Sequence, residues 1–292
     1  MTILMTSYIT SCANDYYFRG RIVGGHKVKK GKFPYVAAIV TEFKNVEGKS
    51  SSLKCTGSIL TARWILTAAH CATHEQHTRE RMRYQVGDVQ LNMFKLKHFS
   101  EVLVHKDFII HNDPVNGISA SSDLCLAKTA EKIEFSRFIN SVCLSSAQNS
   151  SDKCLIVGFG ALTIPGDHTS IESNDVLHYA TFYFNISDVG ESSKIIFETQ
   201  DKLPSFGDSG GPLVCDDKAV GVASSVSVSE WTVTATYMST EHYRQWIEDT
   251  VQASLFENCT VTDTNGNRIY YSHLCIICIL KVLSCFIGYL LT

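Results

Sequence analysis

Three short stretches of the sequence carry side chains that can do chemistry. Leu66-Thr67-Ala68-Ala69-His70-Cys71 offers an imidazole, Ser122-Asp123-Leu124-Cys125-Leu126 a carboxylate heading an apolar run, and Gly207-Asp208-Ser209-Gly210-Gly211-Pro212 an alcohol among glycines. Singly, each has a plain structural explanation: a packed histidine, a turn or cap, a tight turn. Together they supply the parts of acyl transfer. A serine hydroxyl is a weak nucleophile and needs a base within hydrogen-bond reach. The base needs a carboxylate to fix its tautomer. A tetrahedral oxyanion needs backbone N–H donors, and glycine lets the main chain come close.

The elements that must position these residues read as strands. Short apolar runs recur at Phe33–Val40, Leu53–Leu60, Tyr84–Val86, Phe99–Val104, Leu155–Phe159, Val176–Phe184, Lys194–Glu198, Ala219–Ala223 and Val233–Tyr237, separated by Gly, Asn, Asp and Ser clusters. Many short strands with turn punctuation predict an all-β barrel or sandwich. One helix is expected near the end, where Tyr243, Trp246, Ile247 and Val251 share a face, with Thr240 placed to cap it and Glu241 in its first turn. No internal repeat is visible, and the globular body is expected to end near Ser254.

Composition narrows the classes. Of 292 residues, 45% are hydrophobic and 19% charged, enough for a sizeable core and against wholesale disorder. The 26 Lys+Arg against 29 Asp+Glu leave a net charge of −3, so no basic excess exists to grip nucleic acid. With 5 Pro and 18 Gly, collagen-like and Pro-rich linker classes are excluded. The 11 Cys favour an oxidising, extracellular setting, and the odd count leaves at least one outside any intramolecular disulfide. Glycosylation sequons at Asn149, Asn185 and Asn258 point the same way.

The two ends leave alternatives open. Residues 1–13 lack a basic n-region and read either as a polar leader or as the stub of a signal peptide cut after Ala13. The apolar segment Leu274–Leu291 has Lys281 near its middle, and a central Lys costs ~2.5–3.5 kcal/mol on insertion scales. An appendage or a membrane tether therefore ranks above a true span, and a removable lipid-anchor signal, with Asp263–Asn267 upstream, is a further reading.

The three motifs, in this order and preceded by Arg21-Ile22-Val23-Gly24-Gly25, resemble the chymotrypsin/trypsin-like serine protease family (peptidase family S1) over residues 21–252. The resemblance implies two six-stranded antiparallel β-barrels with a C-terminal α-helix. It divides the chain into a leader or activation peptide (1–21), a peptidase domain (22–254) and a tail (255–292). It implies His70 as general base, Asp123 as its orienting carboxylate and Ser209 as nucleophile, with the Gly207 and Ser209 amides as oxyanion hole and Ser224 supporting Asp123. Cleavage after Arg21 would free the Ile22 ammonium to pair with Asp208, making the uncleaved chain a zymogen. Disulfides Cys55–Cys71 and Cys154–Cys215 are implied. A third, Cys12–Cys143, is implied if the leader is retained and impossible if Ala13 is a cleavage site. Cys125 is expected to be free and buried. Cys259, Cys275, Cys278 and Cys285 fall outside the family pattern, and no cofactor, zinc or calcium site is implied.

The sequence also departs from the family. Leu203 stands where trypsin-like members carry an Asp, and Ser205 where most carry a bridging Cys; residues 155–214 contain no Cys at all. Val226 and Ala235 take the pocket-wall positions, with Phe206 beside the cleft. These residues imply an apolar primary specificity, of elastase or chymotrypsin type and with a small or medium aliphatic side chain favoured. The implied partners are protein or peptide substrates, an activating protease and protein inhibitors, in a secreted setting. The missing bridges raise an alternative, a non-catalytic homologue that binds partners. A membrane-anchored ectodomain would rest on the tail alone. His74, His77 and Arg79–Arg83 read as a solvated face, with an exosite as the sharper alternative.

Overall fold

A computed structural model describes residues 2–4, 25–113, 117–145, 153–160, 175–183, 192–199, 204–205, 207–228, 233–256, 261–262 and 268–269. Cys12, Arg21, Ile22, Asn149, Asn185, Leu203, Phe206, Asn258 and segment 274–291 lie outside the described residues. The strands are β1 (Thr2–Leu4), β2 (His26–Lys27), β3 (Val36–Asn45), β4 (Ser50–Ile59), β5 (Trp64–Thr67), β6 (His77–Val86), β7 (Lys97–Val104), β8 (Ile109–Asp113), β9 (Gly117–Ser121) and β10 (Cys125–Thr129). They continue with β11 (Lys153–Gly158), β12 (His178–Tyr183), β13 (Lys194–Thr199), β14 (Pro212–Cys215), β15 (Lys218–Val228), β16 (Val233–Ser239), β17 (Val261–Thr262) and β18 (Arg268–Ile269), with one α-helix, α1 (Arg244–Val251), between β16 and β17.

The fold is the mostly-β, chymotrypsin-like architecture implied above. Strands β10-β5-β4-β3-β6-β7 close a six-stranded barrel. A second sheet runs β13-β16-β15-β14-β11-β12-β2, with β1 added to β15. Pattern explains placement. Inside the barrel, Ile39, Ile59, Ile65, Met82, Tyr84 and Cys125 pack together. On β6, Met82 and Tyr84 face in while Arg81 and Arg83 face out and share the carboxylate of Glu42. That mixed-charge stretch is an ion-paired sheet face. Under the second sheet lie Ile156, Phe182, Ile195, Phe197, Leu213 and Tyr237. A third cluster, including Leu66, Leu126, Val157, Val214, Met238 and Ile247, joins the two halves and the helix.

Helix α1 starts later than its capping pattern suggests. Its N-cap is Tyr243, with no side-chain cap. The Thr240 hydroxyl donates instead to the carbonyls of Ser145 and Ala219, at 3.0 and 3.2 Å. A buried end of strand β16 has carbonyl acceptors nearby, and these take the hydroxyl that local sequence assigns to a cap. Ile247 and Val251 are buried as the helical spacing predicts. Among the described residues no helix is long and apolar enough to cross a membrane.

Disulfides Cys55–Cys71 and Cys154–Cys215 are present. Cys143 is also disulfide-bonded, and its partner is none of the other described cysteines. Cys125 is free, and burial pushes its thiol up to about 12, which makes it inert at neutral pH.

Leu126 is fully buried in the cluster that joins the halves. Leu126→Ala is expected to cost about 2–5 kcal/mol, seen as a lower urea midpoint at unchanged m-value.

Candidate active site

The barrel presents His70 and Asp123. His70 sits in a single 3₁₀ turn, Ala69–Cys71, directly after β5, and the Cys55–Cys71 bridge ties that turn to β4. Asp123 lies two residues before β10. Ser122 turns the chain there with a φ of 47°, in the left-handed region that non-glycine residues seldom adopt. Its Oγ lies 3.1 Å from the hydroxyl of Tyr243 at the start of α1, which holds the turn.

Asp123 is satisfied by three donors. The His70 backbone N–H donates to Oδ1 at 2.9 Å, His70 Nδ1 lies 2.7 Å from Oδ2, and Ser224 Oγ donates to Oδ2 at 2.6 Å. Burial alone would push this carboxyl up. Electrostatic attraction to the neighbouring His70 ring and the hydrogen bonds from His70 and Ser224 outweigh it and hold it below the usual carboxylate range. With Nδ1 donating to Asp123, Nε2 is left as the basic nitrogen. Ser224 reaches Asp123 because it is a bulge: β15 pairs Ala223 with Tyr237 and Ser225 with Thr236, so Ser224 is the extra residue.

Ser209 lies on a tight loop between Ser205 and β14. Asp208 N–H donates to Ser205 O at 2.9 Å, Gly211 N–H to Asp208 O at 2.8 Å, and Gly210 N–H to Ala223 O at 2.8 Å. Gly210 has a φ of 76° and a Cβ there would overlap Thr67 Oγ1, so only glycine fits. Gly207, with a φ of 99°, is the other left-handed position. His70, Asp123 and Ser209 are 1%, 0% and 0% exposed. Neither His70 Nε2 nor Ser209 Oγ has a hydrogen-bond partner, so the base-to-nucleophile bond required by the sequence reading is not made in this state.

Asp208 is buried, its carboxylate packed beside Gly158 and Gly160, where a Cβ at either glycine would overlap it. Burial pushes its pKa up to about 7, against the lowering effect of the Ser205 and Gly160 amides, each 2.8 Å away. Ser205, at the position of an absent cysteine, is buried with its Oγ unpartnered. Val226 and Ala235 are directly paired across β15 and β16, and both are buried.

One residue escaped the sequence reading. Thr56, beside Cys55 on β4, stitches the loop in place. Its N–H donates to Ser209 O at 2.8 Å, its Oγ1 donates to Gly207 O at 2.7 Å and accepts from Phe159 N–H at 3.1 Å, and its carbonyl accepts from Thr67 Oγ1 at 2.8 Å. A threonine on a strand carries no local signal of such a role. Cys55, His70 and Cys71 bring three donor atoms within 4.8 Å, but the two sulfurs are bonded to each other and offer no thiolate pair.

A closed barrel facing a second sheet, with imidazole, carboxylate and alcohol buried at their seam, defines the class of two-lobed β serine peptidases and their homologues. The comparisons agree. A family model described as Trypsin matches residues 22–247. Serine protease 28 of Mus musculus is 32% identical over 212 residues, covering 66% of this chain and 74% of its own. Trypsin II-P29 of Gallus gallus is 25% identical over 247 residues, covering 80% and 90%. Among solved structures, a chain described as GrC shares the fold with a TM-score of 0.60 at 24% identity, over 79% of this chain and 99% of its own. HL collagenase does so with a TM-score of 0.58, also at 24% identity and over 79% and 99%. The chain belongs to the trypsin family of serine proteases.

Thr56→Val keeps the shape but leaves the Gly207 carbonyl and Phe159 amide unpaired in the interior. It is expected to cost about 2–4 kcal/mol by denaturant unfolding, whereas Thr56→Ser should cost less than half of that.

Proposed function

We propose that the chain is a serine endopeptidase, made as a zymogen, that hydrolyses peptide bonds through an acyl-enzyme. The observation that carries the reading is the satisfied His70–Asp123–Ser224 arrangement with a free Nε2, buried at the same seam as the unpartnered Ser209 hydroxyl. In this reading His70 Nε2 takes the Ser209 proton as Oγ attacks the scissile carbonyl, then gives it to the leaving amine. Asp123 stabilises the imidazolium. The Gly207 and Ser209 amides receive the oxyanion; among the described residues neither donates to a backbone carbonyl. Water then repeats the sequence on the acyl-enzyme.

Activation supplies what Asp208 lacks. Cleavage after Arg21 frees the Ile22 ammonium, which pairs with the buried carboxylate and draws the nucleophile loop into register. Catalytic hydrogen bonds are often open in unliganded forms and close in the productive complex. Facing Val226 and Ala235 give the pocket apolar walls, which with Leu203 favours an apolar side chain before the scissile bond. Protein and peptide substrates, an activating protease and protein inhibitors are the partners of this reading. A secreted, glycosylated protein fits the disulfides and sequons.

After cleavage at Arg21, a fluorophosphonate should label Ser209, and Ser209→Ala should lose labelling and at least ~10⁴-fold in kcat. A correctly processed, folded chain that does not label would make it a binding homologue. Peptide-library profiling that returned a Lys or Arg preference would overturn the apolar pocket.

Asp208 adds a pH signature to the uncleaved chain. Its folded pKa of about 7 lies above the ordinary aspartate value of 3.8, so the unfolded state ionises first. Its contribution to stability is full below about pH 4 and is lost as pH rises to about 7, by about 4 kcal/mol in total. Asp208→Asn should flatten this slope in thermal melts between those pH values. Cleavage after Arg21 should flatten it too, by supplying the cation.

A further inference from the structure

Strand β1 pairs antiparallel with β15, placing Thr2 opposite Ser227, Ile3 opposite Val226 and Leu4 opposite Ser225. β16 already holds one edge of this stretch, opposite Ser225, Val226 and Ser227. A strand has two edges, so β1 takes the other, the edge that β14 covers from Lys218 to Val222 and then leaves. Between the two covered segments stand Ala223 and Ser224. Ala223 binds the Gly210 amide and Ser224 binds Asp123. The vacated edge therefore begins at the triad.

The direction of β1 is informative. From Thr2 to Leu4 the chain advances along β15 toward Ser224. β1 also packs against β9, the strand that leads into Ser122 and Asp123. It thus lies in a groove bounded by strands from both sides of the site, in a state where Ser209 and His70 are closed to solvent.

An extended peptide binds a sheet edge through main-chain hydrogen bonds, which require no particular sequence. A peptide laid on this edge in this direction would deliver a carbonyl to Ser209. We propose that the N-terminal segment of the chain is an intramolecular pseudosubstrate, a strand that occupies the peptide groove and must be displaced before a substrate can bind. The inference rests on reading Ser209 as the nucleophile and residues 1–13 as a retained leader, and adds a second layer of control to cleavage after Arg21. A Cys12–Cys143 bridge would keep the segment at high effective concentration after that cleavage.

The test uses the full chain carrying Ile3→Pro with Leu4→Pro. Neighbouring residues in an antiparallel ladder alternate between bonded and unbonded, so removing two consecutive N–H groups deletes at least one bond. Amide hydrogen exchange at Ser225–Ser227 in the uncleaved chain should accelerate roughly tenfold, the worth of one or two backbone hydrogen bonds. In the Ile3→Pro/Leu4→Pro chain cleaved after Arg21, whose own strand is released, a synthetic peptide of residues 1–6 with the unaltered sequence should slow Ser209 labelling by a peptidyl phosphonate, and the same peptide with the two prolines should not. Unchanged exchange, or labelling indifferent to the peptide, overturns the inference. Accelerated exchange in a chain that no phosphonate labels supports the strand and overturns the peptidase reading alone.

Discussion

One buried carboxylate organises the site. Taking Asp123 out of water costs several kcal/mol unless its oxygens are paired. The donors that offset this come from both sides of the seam: two from His70, on the barrel, and one from Ser224, on the second sheet. The contacts that make burial tolerable therefore also fix where the two halves sit relative to each other. Ser122 and Tyr243 bring helix α1 to the same point. A shift of any of these elements would leave a buried anion short of a donor, which gives the seam its definition.

Asp208 shows the opposite balance. Both aspartates are fully buried, yet Asp123 is held low and Asp208 is raised to about 7. Each accepts backbone N–H donors, so hydrogen bonding alone does not separate them. A neighbouring imidazole does. A buried carboxylate without a cation is a local energetic deficit that a single arriving cation would remove, and a deficit beside Ser209 would give that loop two states in the proposed zymogen. Thr56 limits how far that loop can wander, because its amide and hydroxyl hold the carbonyls of Ser209 and Gly207. This anchor stands in a chain that lacks the family's cysteine at Ser205.

Much of this was legible in the sequence because the signals are local. The apolar runs at 33–40, 53–60, 99–104 and 219–223 fall on or within a few residues of β3, β4, β7 and β15. His70, Asp123 and Ser209 stand at the ends of such runs, where side chains leave the sheet. The illegible parts depend on partners distant in the chain. Thr240 looks like a cap until two carbonyls from other segments claim its hydroxyl. Thr56 looks like an ordinary strand residue. The open link between His70 and Ser209 is a property of state, which composition and spacing do not encode. The β8–β9 hairpin was hidden by polar residues at Ser119, Ser121, Asn112 and Asp113 that break the apolar alternation.

The pairing of β1 follows from how the Ser209 loop leaves the sheet. β14 begins at Pro212, which has no N–H to extend the ladder, and the chain before it turns away through Gly211 and Gly210 to present Ser209. Gly211 and Gly210 still bond Ala223, and β14 leaves the edge of β15 uncovered only beyond that residue, where the neighbouring strand has become the Ser209 loop. A bare edge is a template for any extended chain. In the proposed peptidase it would serve substrate, and without a cover it invites unwanted pairing. A strand from the same polypeptide is the least costly cover, since its association carries no concentration penalty and three residues of pairing are weak enough to be displaced. The departure of β14 that forms the Ser209 loop thus creates the vacancy that β1 fills.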